Sequence, residues 1–490
     1  MNTGFVTVIT SDQPNTLGKV FSLKPDGTLL KEVAGRMTAG TYEVRAFSTV
    51  TEFVSVLSGV TTSQAMMGSL PKPTLPQSGH IASKKLLGQN PDAITRSKSN
   101  FKFRGNTSGV LTIDYDPQQG DVVLSPAELC PLLQETIPGL QTAGVVHWLS
   151  GSSHIWNGED ELQGRRGQRV YILVADAADI PRACETLAAR LWLSGHGRVV
   201  LSKSGAKLMR HLFDDAMGEA ARLDFCGGSV CKPPLEQRRG PPVILSDGGF
   251  LDTRLALPDL TASEAAKVET LKQEAKDAAE VESKAIREAW AIARGNALTT
   301  RLVKSGVPVT EAHERATQAA RSAVGGVLLG DYTIILEDGR EVSIGQVLDT
   351  RATFHGAICR DPLEPDYMGG KATGKLYLYG ASPVIHSFAH GGATYRLHRQ
   401  PARVYLQAGR RAETTNEILG RLAKEPDLYI KGGVLVRLDA GRLLPIKRSA
   451  ALSYLVGVRY ALFKRAHDGK DIAADLDDQT SQMLLAALGN

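Results

Sequence analysis

The chain has 490 residues, 42% hydrophobic and 22% charged, with a formal net charge of +5. That is ordinary for a globular protein of two to four domains, and so mild a basicity by itself argues for no partner. Five widely spaced cysteines (Cys130, Cys184, Cys226, Cys231 and Cys359) exclude a disulfide framework, and no apolar run reaches membrane-spanning length, so a cytoplasmic protein with no membrane partner is expected.

Residues 1–94 open with strand-like runs at Phe5–Thr10 and Thr41–Arg45 and a helix near Val50–Leu57. They predict a small α+β module followed by a basic linker. Residues 71–105 hold seven Lys or Arg against Asp92 alone, with Pro71, Pro73, Pro76 and Gly79 among them. This composition predicts an extended loop, either following a phosphate backbone or serving as a solubilising linker. Lys98, Lys102 and Arg104 are its candidate DNA contacts.

The segment Gly109-Val-Leu-Thr-Ile-Asp-Tyr-Asp-Pro117 predicts a strand ended by proline. Side chains two apart on a strand share a face, so Asp114 and Asp116 project side by side. Two adjacent carboxylates repel unless a cation lies between them, and Mg²⁺ or Mn²⁺ takes oxygen ligands. The bland alternative is that Asp-Tyr-Asp-Pro closes a strand and opens a turn. Through residue 255 strands and helices alternate, with strands at Val170–Val174 and Arg198–Ser202 around an amphipathic helix at Ile180–Leu193. Cys226 and Cys231 lack a second Cys or His pair at a zinc-binding spacing.

Residues 256–325 are rich in Ala, Glu, Lys and Arg. Thr261-Ala-Ser-Glu264 is a capping-box pattern, and Val268, Leu271, Ala275, Ala278 and Val281 recur near helical spacing, which predicts a helical hairpin or small bundle. Residues 326–400 turn β-rich, with Tyr332–Leu336, a turn at Glu337-Asp-Gly339, and Lys375–Tyr379. Residues 401–490 read as mostly helical, with one strand pair around Leu428–Arg437. Gly369-Gly-Lys-Ala-Thr-Gly-Lys375 imitates a phosphate loop, but Leu376 replaces the Ser or Thr that would bind Mg²⁺, and a strand follows instead of a helix.

After the Asp pair come Gly151-Ser-Ser-His154, Gly164-Arg-Arg-Gly-Gln-Arg-Val-Tyr171, Leu191-Trp-Leu-Ser-Gly-His-Gly197, Ser202-Lys-Ser-Gly205, Arg210-His-Leu-Phe-Asp214 and Arg222-Leu-Asp-Phe225. This succession, over residues 95–245, resembles the archaeo-eukaryotic primase superfamily in the form found in primase-helicases of prophages and integrative elements. Residues 326–445 resemble the segment such proteins place before their helicase, through Phe354-His-Gly, Asp361-Pro-Leu-Glu-Pro365, His386-Ser-Phe-Ala-His-Gly-Gly392 and Lys431-Gly-Gly-Val-Leu-Val-Arg437.

The resemblance implies an α+β fold: a primase/RRM-like mixed-sheet core at 95–255, the helical segment, then a smaller β-rich and helical C-terminal region. It implies a DNA primase that uses NTPs or dNTPs on a single-stranded DNA template with Mg²⁺ or Mn²⁺. Asp114, Asp116 and Asp214 match the metal-binding and catalytic carboxylates, with Asp215 and Asp224 as alternatives for the third. Asp224 reads more simply as a strand-flanking residue. Arg169 stands where many members place a His against the triphosphate, and its planar fork of donors suits phosphate. His154, Ser153, Lys203 and Arg210 are further candidate nucleotide contacts, and Arg165 and Arg166 candidate DNA contacts. No helicase motor is recognisable, so a helicase acting in trans is the expected partner. A non-catalytic replication accessory is the competing expectation.

Overall fold

The computed structural model describes residues 2–489 except 36, 118–122, 380–381, 400–401, 408, 424, 426, 440–441 and 466–470. The chain divides into two units, Met1–Val200 with Met209–Ala278, and Leu201–Leu208 with Ala279–Asn490. Both mix helices with small sheets. Among the described residues no helix is long and apolar enough to cross a membrane.

The first unit begins with β1 (Gly4–Gln13), β2 (Gly18–Leu23), β3 (Ala39–Phe47), α1 (Val50–Ser58), β4 (Gln64–Met67) and β5 (Ser78–Ala82). Four of the strands form an antiparallel sheet in the order β4-β1-β3-β5. Strand β5 corrects the expectation of an extended basic loop, for buried Ile81 anchors it beside β3. The basic residues of this stretch are divided in use. Arg96 and Arg104 turn to the carbonyls of Ala221 and Pro71, Lys98 pairs with Glu219 at 3.5 Å, and Lys102 is exposed.

The central sheet comes from β6 (Gly109–Tyr115), β7 (Gly144–Leu149), β8 (Gln168–Val174) and β9 (Val243–Asp247), in the order β9-β7-β8-β6. Its ladders are antiparallel, and among the described residues an isolated bridge such as Val174–Leu251 is parallel. Helices α2 (Pro126–Thr136) and α3 (Ile180–Leu193) cover one face, where Leu111, Ile113 and Ile172 meet Leu129, Leu133, Leu187 and Leu191. Helix α1 covers the other, where Val110, Tyr171 and Leu173 meet Phe53 and Leu57. Burial on both faces explains the apolar run Val170–Val174 within β8. Helix α4 (Ala262–Ala278) closes the unit. Its Thr261–Glu264 box forms as expected, with Thr261 N–H donating to Glu264 at 2.8 Å and Glu264 N–H to Thr261 Oγ1 at 3.2 Å.

In the second unit, α5 (Glu280–Lys304) and α6 (Val309–Val324) form the helical hairpin. The buried face of α6 is Ala312, Ala316, Ala319, Ala320 and Ala323, small side chains that let the helices approach closely. A five-stranded sheet packs on them, made from β10 (Val327–Leu328), β11 (Ile358–Cys359), β12 (Gly374–Tyr377), β13 (Val384–Ser387) and β14 (Ala393–Leu397), in the order β10-β14-β13-β12-β11. The phosphate-loop imitation runs directly into β12. The expectation for 401–490 is corrected as well. Strands at Ala402–Tyr405, Leu428–Lys431, Val434–Asp439, Arg442–Pro445, Tyr460–Arg465 and Asp471–Ala473 alternate with helices at Arg411–Leu422, Ser449–Arg459 and Asp478–Gly489.

Two of the distinctive sequence segments meet inside the second unit. Asp361 accepts from the Leu363 and Glu364 amides at 2.9 and 2.7 Å and from Ser387 Oγ at 2.6 Å. Glu364 takes His390 Nε2 at 2.9 Å, and the amide and hydroxyl of Ser204 at 3.1 Å. Burial alone pushes Glu364 up, but His390, Ser202 and Ser204 prevail and hold its carboxyl at about 2. A depressed folded-state carboxyl stabilises fully above its unfolded value and loses that contribution as pH falls through the folded one. The melting-temperature gap between wild type and His390→Leu is therefore expected to narrow as pH falls from about 4.5 toward 2. Thermal melts of both proteins across that range check it, and a constant gap refutes it.

Candidate functional site

Strand alternation sends Leu111, Ile113 and Tyr115 of β6 toward α2 and α3, and Thr112 and Asp114 to the opposite face. On β8, Arg169, Tyr171 and Leu173 share that opposite face. The register places Asp114 directly across from Arg169, with Arg169 Nη2 at 3.6 Å from Asp114 Oδ2. Arg169 Nε also pairs with Asp224, whose Oδ2 accepts from the Tyr171 hydroxyl at 2.7 Å. Burial works against the guanidinium charge, but Asp114 and Asp224 outweigh it and raise its pKa well above the ordinary value. Burial pushes the Asp114 carboxyl up, Arg169 pulls it down, and Asp224, Asp116 and Asp214 push it up again, so that it stays above its ordinary value. Arg169 Nη1 is buried with no hydrogen-bond partner among the described residues.

Asp116 lies exposed just past the end of the strand. It packs against Gly167, where a Cβ would stand 3.1 Å from Asp116 Oδ1 and 3.2 Å from Ser150 Oγ. That close approach, not a turn conformation, favours glycine at 167, since a larger residue would have to push these neighbours aside.

The expected third carboxylate behaves differently. The Asp214 amide donates to the Asp114 carbonyl at 3.1 Å, so the backbones meet. Its side chain, however, accepts from the Ala216 amide at 3.1 Å and pairs with Arg222. Asp215 pairs with His211 at 2.5 Å. Among the described residues no three His, Cys, Asp or Glu side chains are arranged to hold a metal ion, so the predicted trio is not assembled here. Asp224, read from sequence as a strand-flanking residue, is instead the buried carboxylate of the cluster.

Lys19 of β2 is the residue that sequence reasoning missed. Its Nζ donates to Ser152 Oγ at 2.8 Å, and it feels the charges of Asp116, Arg169 and Asp114. Burial first, then Lys31, lowers its pKa to about 8. No local motif marks it, because its neighbours in the site lie 95 residues or more along the chain.

The remaining candidates are used in other ways. His154 adopts a positive φ of 55° and binds Glu161 Oε1 at 2.5 Å. Ser153 is buried and fixes its own loop, accepting from the Arg166 amide at 3.0 Å. Arg210 donates to the neighbouring Met209 carbonyl at 3.0 Å, and Arg165 to the Val123 carbonyl at 3.4 Å. The Arg166 side chain is exposed. Lys203 belongs to the second unit, where it pairs with Asp366.

By donor chemistry Asp114 and Asp116 fit an oxygen-seeking divalent ion. Asp214 joins such a set only by releasing Arg222 and the Ala216 amide. The arrangement therefore offers carboxylates for a cation and, in Lys19, a cationic group for an anion within one small site. No family model, no curated protein and no solved structure matches the chain.

Proposed function

We propose that the chain is a DNA primase of the archaeo-eukaryotic type, in the replication of a phage, plasmid or integrative element. It joins NTPs or dNTPs into short primers on a single-stranded DNA template in the cytoplasm, with a helicase acting in trans and with Mg²⁺ or Mn²⁺ as cofactor. The observation that supports this most is the grouping of Asp114 and Asp116 at a strand end with Lys19 and Arg169. Carboxylates and cations side by side suit a reaction between a hydroxyl and a triphosphate. The divalent ion, when bound at Asp114 and Asp116, supplies Lewis-acid stabilisation of the oxygens of the transferring phosphoryl group. Arg169 holds Asp114 in place through the cross-strand pair. In this proposal Lys19 faces the incoming phosphates, and Arg166 and Lys102, both exposed, contact template phosphate.

The test is synthesis: single-stranded DNA, labelled NTPs or dNTPs, and Mg²⁺ or Mn²⁺ are expected to yield short template-dependent products. A second reading, a non-catalytic replication accessory that binds DNA or a helicase, is favoured by one observation. Arg169 already pairs with both Asp114 and Asp224, as a resident cation would in a site that needs no metal. DNA binding without product under every nucleotide and metal combination selects that reading.

Lys19 gives a pH-dependent expectation. It is charged below about pH 8 and neutral above, so binding a triphosphate above that value requires proton uptake. Triphosphate affinity is expected to fall as pH rises through about 8. Lys19→Met is expected to bind about tenfold more weakly at pH 7, roughly the value of one charged hydrogen bond, and to show no such slope. Calorimetric titration at several pH values decides, and parallel profiles would refute the role.

A further inference from the structure

The sheet of the second unit has two unlike faces. Leu376, Ile385, Tyr395 and Leu397 are buried against the helical hairpin. The alternate residues point the other way, and the register sets them in rows. Lys375, His386 and Thr394 form one row, and Tyr377, Val384 and Arg396 the next. His386 Nδ1 lies 2.9 Å from Thr394 Oγ1, as neighbours on one face should.

Three aromatic rings stand in solvent on or beside these rows. Tyr377 is 39% exposed, Tyr379 59% and Phe388 63%. Isolated exposed aromatics are common, but three at one sheet surface are not explained by folding, since each costs apolar hydration. The rings are also braced. The His355 ring lies 4.6 Å from Tyr379, and His355 Nδ1 accepts the Leu378 amide at 3.1 Å. The His386 ring lies 4.7 Å from Phe388. Lys375 Nζ stands 5.5 Å from the centre of the Tyr377 ring.

The charge on this face has one sign. Strands β12, β13 and β14 contain no Asp or Glu, and among the described residues no carboxylate pairs with Lys375 or Arg396. An apolar protein partner would leave both cations buried without counter-charge. A strand of nucleotides satisfies both features, because its bases stack on rings and its phosphates meet the cations. We infer that this face is a binding platform for single-stranded nucleic acid, separate from the Asp114 site and independent of whether that site is catalytic. Bases stack on Tyr377, Tyr379 and Phe388, and Lys375 and Arg396 contact phosphates. Ring stacking reads no base edge, so the platform is sequence-tolerant and prefers single strands to duplex.

The experiment is fluorescence anisotropy of the full chain with labelled oligo(dT), oligo(U) and a duplex of equal length, without nucleotides or divalent metal. Tyr377→Ala/Tyr379→Ala/Phe388→Ala is expected to weaken binding of the preferred single strand by about five- to a hundredfold for each ring that stacks. Lys375→Ala/Arg396→Ala is expected to lessen the slope of log affinity against log salt by about 1.4. The substituted residues are solvent-facing, so melting temperatures stay at wild type and loss of fold does not mimic the result. A photoreactive pyrimidine in the bound strand cross-links to the peptide holding Tyr377 and Tyr379. Unchanged affinity and salt slope in both variants, cross-links confined to other peptides, or a self-association that the triple variant abolishes while nucleic-acid binding persists would each overturn the platform. Because no primer synthesis is measured, failure here leaves the Asp114 proposal standing, and the reverse also holds.

Discussion

An Asp114→Asn/Asp116→Asn double variant is expected to make no primer product, a fall of about a thousandfold or more in synthesis rate, while its melting temperature stays level or rises. The first half follows from the proposed chemistry. Asparagine keeps the shape of each side chain and one acceptor oxygen but removes the charge that holds a divalent ion. Groups that act together in one catalytic unit each cost orders of magnitude when removed. The second half follows from the electrostatics. The Asp114 carboxyl is pushed above its ordinary value by burial and by three neighbouring carboxylates, and Arg169 does not fully compensate. A carboxyl raised in the folded state destabilises that state at neutral pH, where it must ionise, so neutral Asn removes a cost. Such a trade of stability for activity is common at functional sites. Template assays beside thermal melts test both parts. Retained synthesis refutes the catalytic role, and a large fall in melting temperature refutes the electrostatic account.

Arg169→Met is expected to be the most damaging single substitution for the fold of the first unit. It leaves Asp114 and Asp224 buried around a missing cation, and breaking a buried ion pair from one side costs about 3–5 kcal/mol. The methionine side chain fills similar volume, so little of the loss comes from a cavity. The variant is also expected to gain stability from Mn²⁺ more than wild type does, since the ion supplies the charge that the guanidinium supplied. Denaturant unfolding with and without Mn²⁺ measures both effects. Equal metal response in the two proteins would show that Arg169 does not compete for the carboxylates. Asp224→Asn should cost less, because Asp114 still faces the guanidinium.

The elements that sequence reasoning located are those whose signals are local. The strand at 109–115 announced itself by β-branched residues and a terminating proline, and α3 runs from Ile180 to Leu193 as its apolar stripe required. The Thr261 cap needed only four residues. What was not legible depends on distant partners. Asp224 was legible only as an alternative third carboxylate; it enters the site through its backbone pairing with Met66, which nothing in Arg-Leu-Asp-Phe records. Lys19 looks like any lysine on a strand. Asp214 matched a motif but is held by Arg222 and a helical turn, competition that a pattern of types does not encode. Helix Ser449–Arg459 passes directly into strand Tyr460–Arg465 with no loop between, a change that the mostly helical expectation for 401–490 did not include.

The short segment 201–208 has a consequence for how the protein is made. Its Gly205 carbonyl accepts from Ser283 Oγ at 2.8 Å, 78 positions later, and Ser204 is held by Glu364, 160 positions later. During vectorial synthesis this loop leaves the ribosome long before either partner exists. The second unit consequently cannot reach its final form until a piece of earlier chain is threaded back into it. A gene fragment starting at residue 279 would encode every helix of that unit and still lack eight of its residues.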